Sequence, residues 1–427
     1  MLSHESNQYL CRIGPGTPMG RLMRQYWLPA IRSDELPEQD SAPINIRLLG
    51  EDLVGYRATS GAVGLVQKNC PHRGASLFFG RNEDEGLRCV YHGWKFDASG
   101  ACVDMPNEPP ESNFKHKVKL IAYPTHERNG IIWAYMGPRL EPPPLPDLEA
   151  TLANADPKRI SIIARACNWM QGWEGEMDTV HAAFLHGGAN QPEEYEPGSF
   201  GYYHYRQRAP RFSVLDTDWG TSYGAYRPAE DHSHYWRIGH YLFPFYAMQP
   251  TGTMGTEAKL NAYVPVDDEH MLQWECYVPM ADGQARTGDA RATWLPNTSA
   301  RYGRFNIDQN VGNDYRIDRE AQRTWKSYTG IPGIRQQDVA VTESMGPIYD
   351  RTRERLGTSD VLIIRTRRRL LAAAHALEEE GIIPPGVDDP RVYRVRSGEV
   401  ILPRNVDWWE ASKELRERFD PRFESPA

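Results

Sequence analysis

Short β-like runs of apolar side chains, set apart by polar turns, dominate the first third of the chain. Ile44–Leu49 (INIRLL), Leu53–Ala58 (LVGYRA) and Ala62–Gln67 (AVGLVQ) are three such runs, as in a β-meander. Gly50-Glu51-Asp52 and Ser60-Gly61 stand between them as turns. Gly86–Phe96 and Gly130–Met136 read as further strands, with Asp97-Ala98-Ser99-Gly100 as a hairpin turn. Upstream, PGTPMG predicts a turn and the following RLMRQYWLPA a short helix. Leu140–Leu148 (LEPPPLPDL) holds three consecutive prolines and predicts a stiff linker.

After the linker the pattern changes. Asn168–Gly188, NWMQGWEGEMDTVHAAFLHGG, predicts one helix that distorts or ends between His181 and His186, with Gly187 and Gly188 as its stop. Long aromatic and β-branched runs follow between Phe212 and Met280 (SYGAYR, YWRIGHYLFPFYAMQP, KLNAYVPV, MLQWECYVPM) and suit an antiparallel sheet. The last third predicts helices at Asp314–Tyr328, Asp338–Met345, Ser359–Glu380 and Trp408–Phe419, with Gly346-Pro347 and Gly381 as stops. Together these elements predict an α+β chain. Residues 1–145 form an N-terminal antiparallel β domain, and residues 146–427 a larger domain whose large antiparallel sheet is flanked by helices.

Composition narrows the function more than the fold. With 427 residues, 40% hydrophobic and 25% charged, the chain has room for two or three ordinary soluble cores. A net charge of −8 (49 basic against 57 acidic residues) lacks the basic footprint of a nucleic-acid binder. MLSHESNQYL has no basic-then-apolar signal pattern, and Val361–Leu377, the most apolar long stretch, is interrupted by Arg365, Arg367, Arg368 and Arg369. Neither nucleic acid nor membrane is an expected partner. The cysteines Cys11, Cys70, Cys89, Cys102, Cys167 and Cys276 are too scattered for a disulfide framework, so the expectation is a cytoplasmic chain with cysteines reduced or metal-bound.

Two patterns carry chemistry. Asp178 and His181 lie three apart and share a face of the predicted helix, where a carboxylate accepts the free ring N–H of a metal-bound imidazole. His186 follows five residues later, about 140° further round a straight helix. Alone, this pair suits zinc, copper, iron or no metal. The second pattern is Cys70-Pro71-His72 and Cys89-Val90-Tyr91-His92, C-x-H and C-x2-H with 16 residues between. A tetrahedral zinc staple is one reading. Each segment supplies one cysteine and one histidine, however, which lets two thiolates hold one metal and two imidazoles another, as a Rieske 2Fe–2S centre requires. Gly74 and Gly93 follow where tight loops turn N–H groups toward cluster sulfurs.

CPHRGA and CVYHGWKFDASGACVDMP resemble the two Rieske boxes, and NWMQGWEGEMDTVHAAFLH resembles the mononuclear-iron box of Rieske non-haem iron oxygenases. GPGTPMG, QQDVAVTESMGPIYDR and LGTSD are similar to the phthalate dioxygenase-type branch, which includes aromatic O-demethylases such as the dehydrodivanillate enzyme. The resemblance spans nearly the whole chain. It implies a Rieske domain with its 2Fe–2S cluster on Cys70, His72, Cys89 and His92, and a catalytic domain with mononuclear Fe(II) on His181, His186 and Asp338. It also implies that Asp178 bridges His181 to His92 of a neighbouring subunit, and hence a homotrimer or a dimer of trimers. From residue type alone, Asp338 opens DVAVTE as a helix-start cap; ligation is what the resemblance adds. Glu174, one turn before Asp178, stays open between support of the site and packing.

The implied activity is that of a terminal oxygenase. Dioxygen and electrons from an NAD(P)H-dependent reductase, of the flavin and iron–sulfur type, hydroxylate an aromatic acid. The outcome is ring cis-dihydroxylation, or monooxygenation leading to O-demethylation. No G-x-G-x-x-G fingerprint stands in a strand–helix context, so the nicotinamide site is expected on the separate reductase. Tyr223, Tyr235 and Phe243 are expected to line the pocket, and strand alternation puts Arg227 with Tyr223 and Arg237 with Tyr235 and Phe243. Both arginines are candidate forks for an aromatic carboxylate, against the alternative of salt-bridged strand arginines. The competing function is a Rieske electron-transfer protein without oxygenase turnover, with about two rather than three irons per chain.

Overall fold

The computed structural model describes residues 2–152, 160–280 and 293–423. It opens with two helices, α1 (His4–Cys11), capped by Ser3, and α2 (Pro18–Met23), capped by Thr17 with Pro18 in its first turn. The helix expected over RLMRQYWLPA therefore stops at Met23. Trp27–Arg32 is instead strand β1, where Pro29 would have broken a continuing helix. β2 (Ile44–Leu48), β3 (Glu51–Arg57) and β4 (Val63–Gln67) form the expected antiparallel meander. A four-stranded sheet follows in chain order, β5 (Arg81–Glu83), β6 (Gly86–Arg88), β7 (Lys95–Phe96) and β8 (Cys102–Asp104). Gly86–Phe96 is thus two strands flanking the loop that carries Cys89 and His92. β9 (Thr125–Arg128) and β10 (Ile131–Tyr135) join β1 in the order β1-β10-β9.

These elements contribute to two of the hydrophobic cores among the described residues. Val54, Leu77, Leu87, Phe96 and Leu120 pack with Cys70 and Cys89 in the smaller one. The apolar faces of α1, α2, β1 and β10 pack instead with Trp169, Trp173, Tyr241 and Trp274 from beyond the linker. The proline run lies against the protein: Trp27 Nε1 donates to the Pro143 carbonyl at 2.6 Å, and Asp147 N–H to that of Pro390 at 3.1 Å.

β11 (Ile160–Arg165), α3 (Trp169–Met177) and α4 (Phe200–Arg206) lead into the expected large sheet. Its further strands are β12 (Arg211–Asp216), β13 (Gly220–Pro228), β14 (Ser233–Leu242), β15 (Tyr246–Met248), β16 (Glu257–Pro265) and β17 (Met271–Pro279). The order is β11-β17-β16-β15-β14-β13-β12, antiparallel throughout. The C-terminal third departs from expectation. Asp314–Tyr328 is not one helix: Asn310 and Asp318 each cap a separate short turn, the second being α5 (Arg319–Arg323), and Asp314 and Tyr315 take positive φ between them. α6 (Ile334–Ser344) begins four residues before Asp338. α7 (Val361–Glu380) ends as predicted on a left-handed Gly381. GEVILP forms β18 (Gly398–Pro403), an eighth strand that pairs with Ser233–Ile238 of β14. Trp408–Phe419 yields only α8 (Trp408–Ala411) and α9 (Lys413–Arg416), interrupted at the buried Ser412. No helix among the described residues is long and apolar enough to cross a membrane.

Candidate active site and metal centres

The two cysteine–histidine loops are built alike. In each, the cysteine N–H donates to the carbonyl five residues on (Ala75 and Trp94, both 2.8 Å). The cysteine carbonyl accepts from the glycine N–H four residues on (Gly74 and Gly93, both 2.9 Å). Both glycines hold left-handed backbone, φ 76° and 82°. The loops set the His72 and His92 rings 4.4 Å apart, with Trp94 stacked on His72 at 4.5 Å. Burial pushes the Cys70 thiol up to about 11. His72 Nδ1 is buried without a hydrogen-bond partner among the described residues. Two buried thiols and two adjoining imidazoles, one with an orphaned ring nitrogen, fit a 2Fe–2S cluster held by two cysteines and two histidines. Beside them Val90, Tyr91 and Phe79 are 57%, 54% and 69% exposed.

α3 enters the second site from a fixed start. Asn168 caps it, accepting from Met170 N–H at 3.1 Å, while Asn168 Nδ2 donates to the Cys11 and Asp268 carbonyls. The helix ends at Asp178, earlier than expected, because Asp178 Oδ1 accepts from Val180 N–H at 2.8 Å and this local turn competes with the next helical bond. Asp178 and His181 therefore do not share a helix face. A short 3₁₀ turn, His181–Ala183, carries the chain on, and His181 Nε2 comes within 3.0 Å of His186 Nε2. α6 supplies Asp338 from its second turn rather than from its start, with Oδ1 3.2 Å from His186 Nε2 and 3.6 Å from His181 Nε2. The three ligand atoms lie within 4.8 Å of one another.

Each ring is held from behind. His181 Nδ1 donates to the Asp178 backbone carbonyl, and His186 Nδ1 to Gln337 Oε1 at 2.8 Å. Gln337 Nε2 donates to the Ile331 carbonyl (2.9 Å) and Thr329 Oγ1 (3.1 Å), so its amide oxygen has to face His186. Both rings thus turn Nε2 toward Asp338. Burial pulls the His186 imidazole down, but the Asp338 hydrogen bond and charge outweigh it and leave it raised. Burial likewise opposes ionisation of Asp338, and His186 outweighs it and holds the carboxyl below its usual range. Two imidazoles and one carboxylate on one face are the donor set of a non-haem Fe(II) centre with open positions. Asp178 Oδ2 lies 3.9 Å from His181 Nδ1, and burial raises that carboxyl above its usual range.

His181, His186 and Asp338 line a cavity of about 1740 Å³ together with Tyr223, Tyr235 and Arg237. Arg237 donates to Thr179 Oγ1 (2.9 Å), Glu399 Oε1 (2.8 Å) and the Pro250 carbonyl (2.8 Å). Arg227 is fully buried and is not among the wall residues. Its Nε donates to the Gln207 carbonyl at 2.6 Å, and its Nη1 and Nη2 have no partner among the described residues. Burial, then Arg237, lowers its guanidinium to about 10. Phe243 lies outside the wall as well. β14 ends at Leu242, alternation lapses there, and Phe243 packs in the core with Arg369 over its ring at 5.6 Å.

Sequence reasoning passed over Gln337, although it adjoins Asp338, and left Glu174 open. Glu174 is clamped by Arg351 (2.9 Å) and Arg367 (2.7 Å), and Arg367 also pairs with Glu354 (2.6 Å). A signal existed: Arg367 falls within the buried stripe of α7 between Ile363 and Leu370, at helical spacing where an arginine requires a buried partner.

Two such donor sets on one chain, beside a large antiparallel sheet, define a Rieske non-haem iron oxygenase, with a 2Fe–2S cluster and mononuclear Fe(II) as cofactors. Residues 26–124 match the Rieske [2Fe-2S] domain, and residues 134–423 match the family described as LigXa C-terminal domain like. The chain belongs to the phthalate dioxygenase-type branch of these oxygenases. It is 43% identical to the 3-chlorobenzoate-3,4-dioxygenase oxygenase subunit of Comamonas testosteroni, over 95% of this chain and 96% of that one. It is 37% identical to the phthalate 4,5-dioxygenase oxygenase subunit of Pseudomonas putida, over 96% and 94%. The 5,5'-dehydrodivanillate O-demethylase oxygenase subunit of Sphingobium sp. (strain NBRC 103272 / SYK-6) is 35% identical, over 87% and 80%. As an oxygenase component, the chain works with an electron-supplying partner protein.

Proposed function

We propose that this oxygenase acts on a monocyclic aromatic acid by ring cis-dihydroxylation. The observation that carries the reading is the convergence of His181, His186 and Asp338 on an aromatic-lined cavity with Arg237 in its wall. The names of the two more similar relatives support the substrate class. In this reading Cys70, His72, Cys89 and His92 hold the cluster, His181, His186 and Asp338 hold Fe(II), and 145/146 divides the two domains. When bound, the two centres supply one-electron transfer and dioxygen activation. The side chains do the rest. Gln337 and the Asp178 carbonyl fix the ligand rings, Tyr223 and Tyr235 shape the wall, and Arg237 presents its guanidinium to a carboxylate. Arg227, behind the wall, adds positive charge.

Asp178 is the bridge in this reading, linking His181 to His92 of a neighbouring subunit. None of the four cluster residues lines the cavity, and the exposed Val90, Tyr91 and Phe79 offer an apolar surface for a second copy to cover. A closed head-to-tail ring gives a homotrimer or a pair of trimers. Electrons come from a flavin and iron–sulfur reductase that uses NAD(P)H, in the cytoplasm.

The second reading is O-demethylation of a larger methoxylated aromatic. The cavity's about 1740 Å³ favours it, because ligand pockets ordinarily span roughly 300–1,000 Å³. Oxygen uptake with a compatible reductase and NADH, across benzoates, phthalates and methoxylated aromatic acids, separates the two by product. A dihydrodiol supports the first and formaldehyde release the second. A fully metallated protein that oxidises none of them overturns both.

A further inference from the structure

The cavity wall carries a buried titratable side chain that the reading above leaves unused. His204, on α4, lines the cavity, is only 5% exposed, and has no hydrogen-bond partner for Nδ1 among the described residues. α4 holds it firmly. Ser199 caps the helix, accepting from Tyr202 N–H at 3.2 Å, and Tyr203 stacks on Tyr235 at 5.7 Å while donating to Glu230 at 2.6 Å. A buried polar atom without a partner is costly in a wall that a ligand does not complete.

The largest charges acting on the ring share one sign, although Asp178, Asp338 and Glu399 line the same cavity. Arg237, Arg227 and Arg208 all bear on it, and of the three only Arg237 has a carboxylate partner, Glu399, among the described residues. Arg208 donates to the carbonyls of Ala183 and Asn190, and Arg227 to that of Gln207. Burial, then these arginines, pushes the imidazole down to about 2, so the ring is neutral and offers one N–H and one acceptor nitrogen. A neutral donor beside three guanidinium groups favours an anionic acceptor over a cationic one.

We propose that His204 donates a ring N–H to a carboxylate oxygen of the substrate, in a subsite whose positive charge comes from Arg237 and Arg227. This rests on the aromatic-acid reading of the same cavity. It assigns to α4, an element outside the metal-ligand motifs, the discrimination between an acid and its uncharged isostere.

Binding without turnover tests it. Benzoate, 3-chlorobenzoate and phthalate, each against the corresponding amide, are titrated by calorimetry into the metal-loaded holoenzyme under nitrogen. His204→Phe keeps a ring but removes the donor, and is expected to weaken acid binding about 10-fold or more while changing amide binding less than about two-fold. His204→Gln, which keeps a neutral N–H donor, is expected to recover part of the loss. Equal weakening of acid and amide marks a packing role and overturns the proposal. Wild type that binds the acids, with His204→Phe unaffected, overturns this inference alone. Wild type that binds none of the acids overturns the aromatic-acid reading along with it.

Discussion

His186 turns Nε2 toward Asp338 because Gln337 accepts its Nδ1–H. Gln337→Leu removes that acceptor, and Fe(II) retention is expected to fall about 10- to 100-fold, as for other partners that orient ligand rings. The measurement is iron lost to a chelator, with the visible absorption of the cluster unchanged, and Gln337→Glu is expected to keep most of the iron. Unaltered retention in the leucine variant would place the control of the ring elsewhere. Glu174 acts on stability instead. Burial opposes its ionisation, but Arg351 and Arg367 outweigh it and hold the carboxyl below its usual range. A depressed carboxylate contributes fully above its unfolded value of about 4.3, and the contribution is lost as pH falls through the folded value. Glu174→Gln leaves the buried Arg351 without its carboxylate, and a loss of about 3 kcal/mol is expected at pH 7. Urea midpoints of variant and wild type should converge as the pH drops below about 4. A gap that ignores pH would remove the Glu174 charge from this account.

The elements differ in how far local pattern decides them. The strands of the meander and the large sheet follow their apolar, aromatic and β-branched content, and most of their residues are buried on both faces. The end of α3 does not follow from such content: the Asp178 side chain takes Val180 N–H, a competition invisible to hydrophobic period. β18 was equally hidden, since six residues form a strand only by pairing with the distant β14. The two cluster loops allow a comparison of equals. A Cβ on Gly93 would meet Pro106 Cγ at 2.7 Å, whereas on Gly74 it would meet nothing within 4 Å. Alanine strains the left-handed backbone of each by roughly 1–2 kcal/mol, and Gly93→Ala adds a clash. Cluster absorbance per protein is therefore expected to fall further in Gly93→Ala than in Gly74→Ala. The opposite order would contradict the geometry.

At the scale of the molecule, two inactive variants test the assembly together. In the proposed assignment His92→Ala disables the cluster site and His181→Ala the mononuclear site. If electrons cross between subunits, chains co-assembled in equal amounts should recover about a quarter of wild-type activity, the chance that random neighbours complement. If each cavity is served by its own chain, the mixture stays inactive. The ligand types and the two-part α+β layout were legible because side-chain identity, short spacing and local period carry them. Cys70, His72, Cys89 and His92 announce a mixed sulfur and nitrogen site, and His181 and His186 half of a second one. Which arginine reaches the cavity and which stays behind its wall, that Gln337 backs His186, and that His204 lines the same space were decided by tertiary structure alone. Each depends on a pairing between segments far apart in the chain. Burial there removes water, and it leaves the surrounding protein to determine what every polar atom can bond.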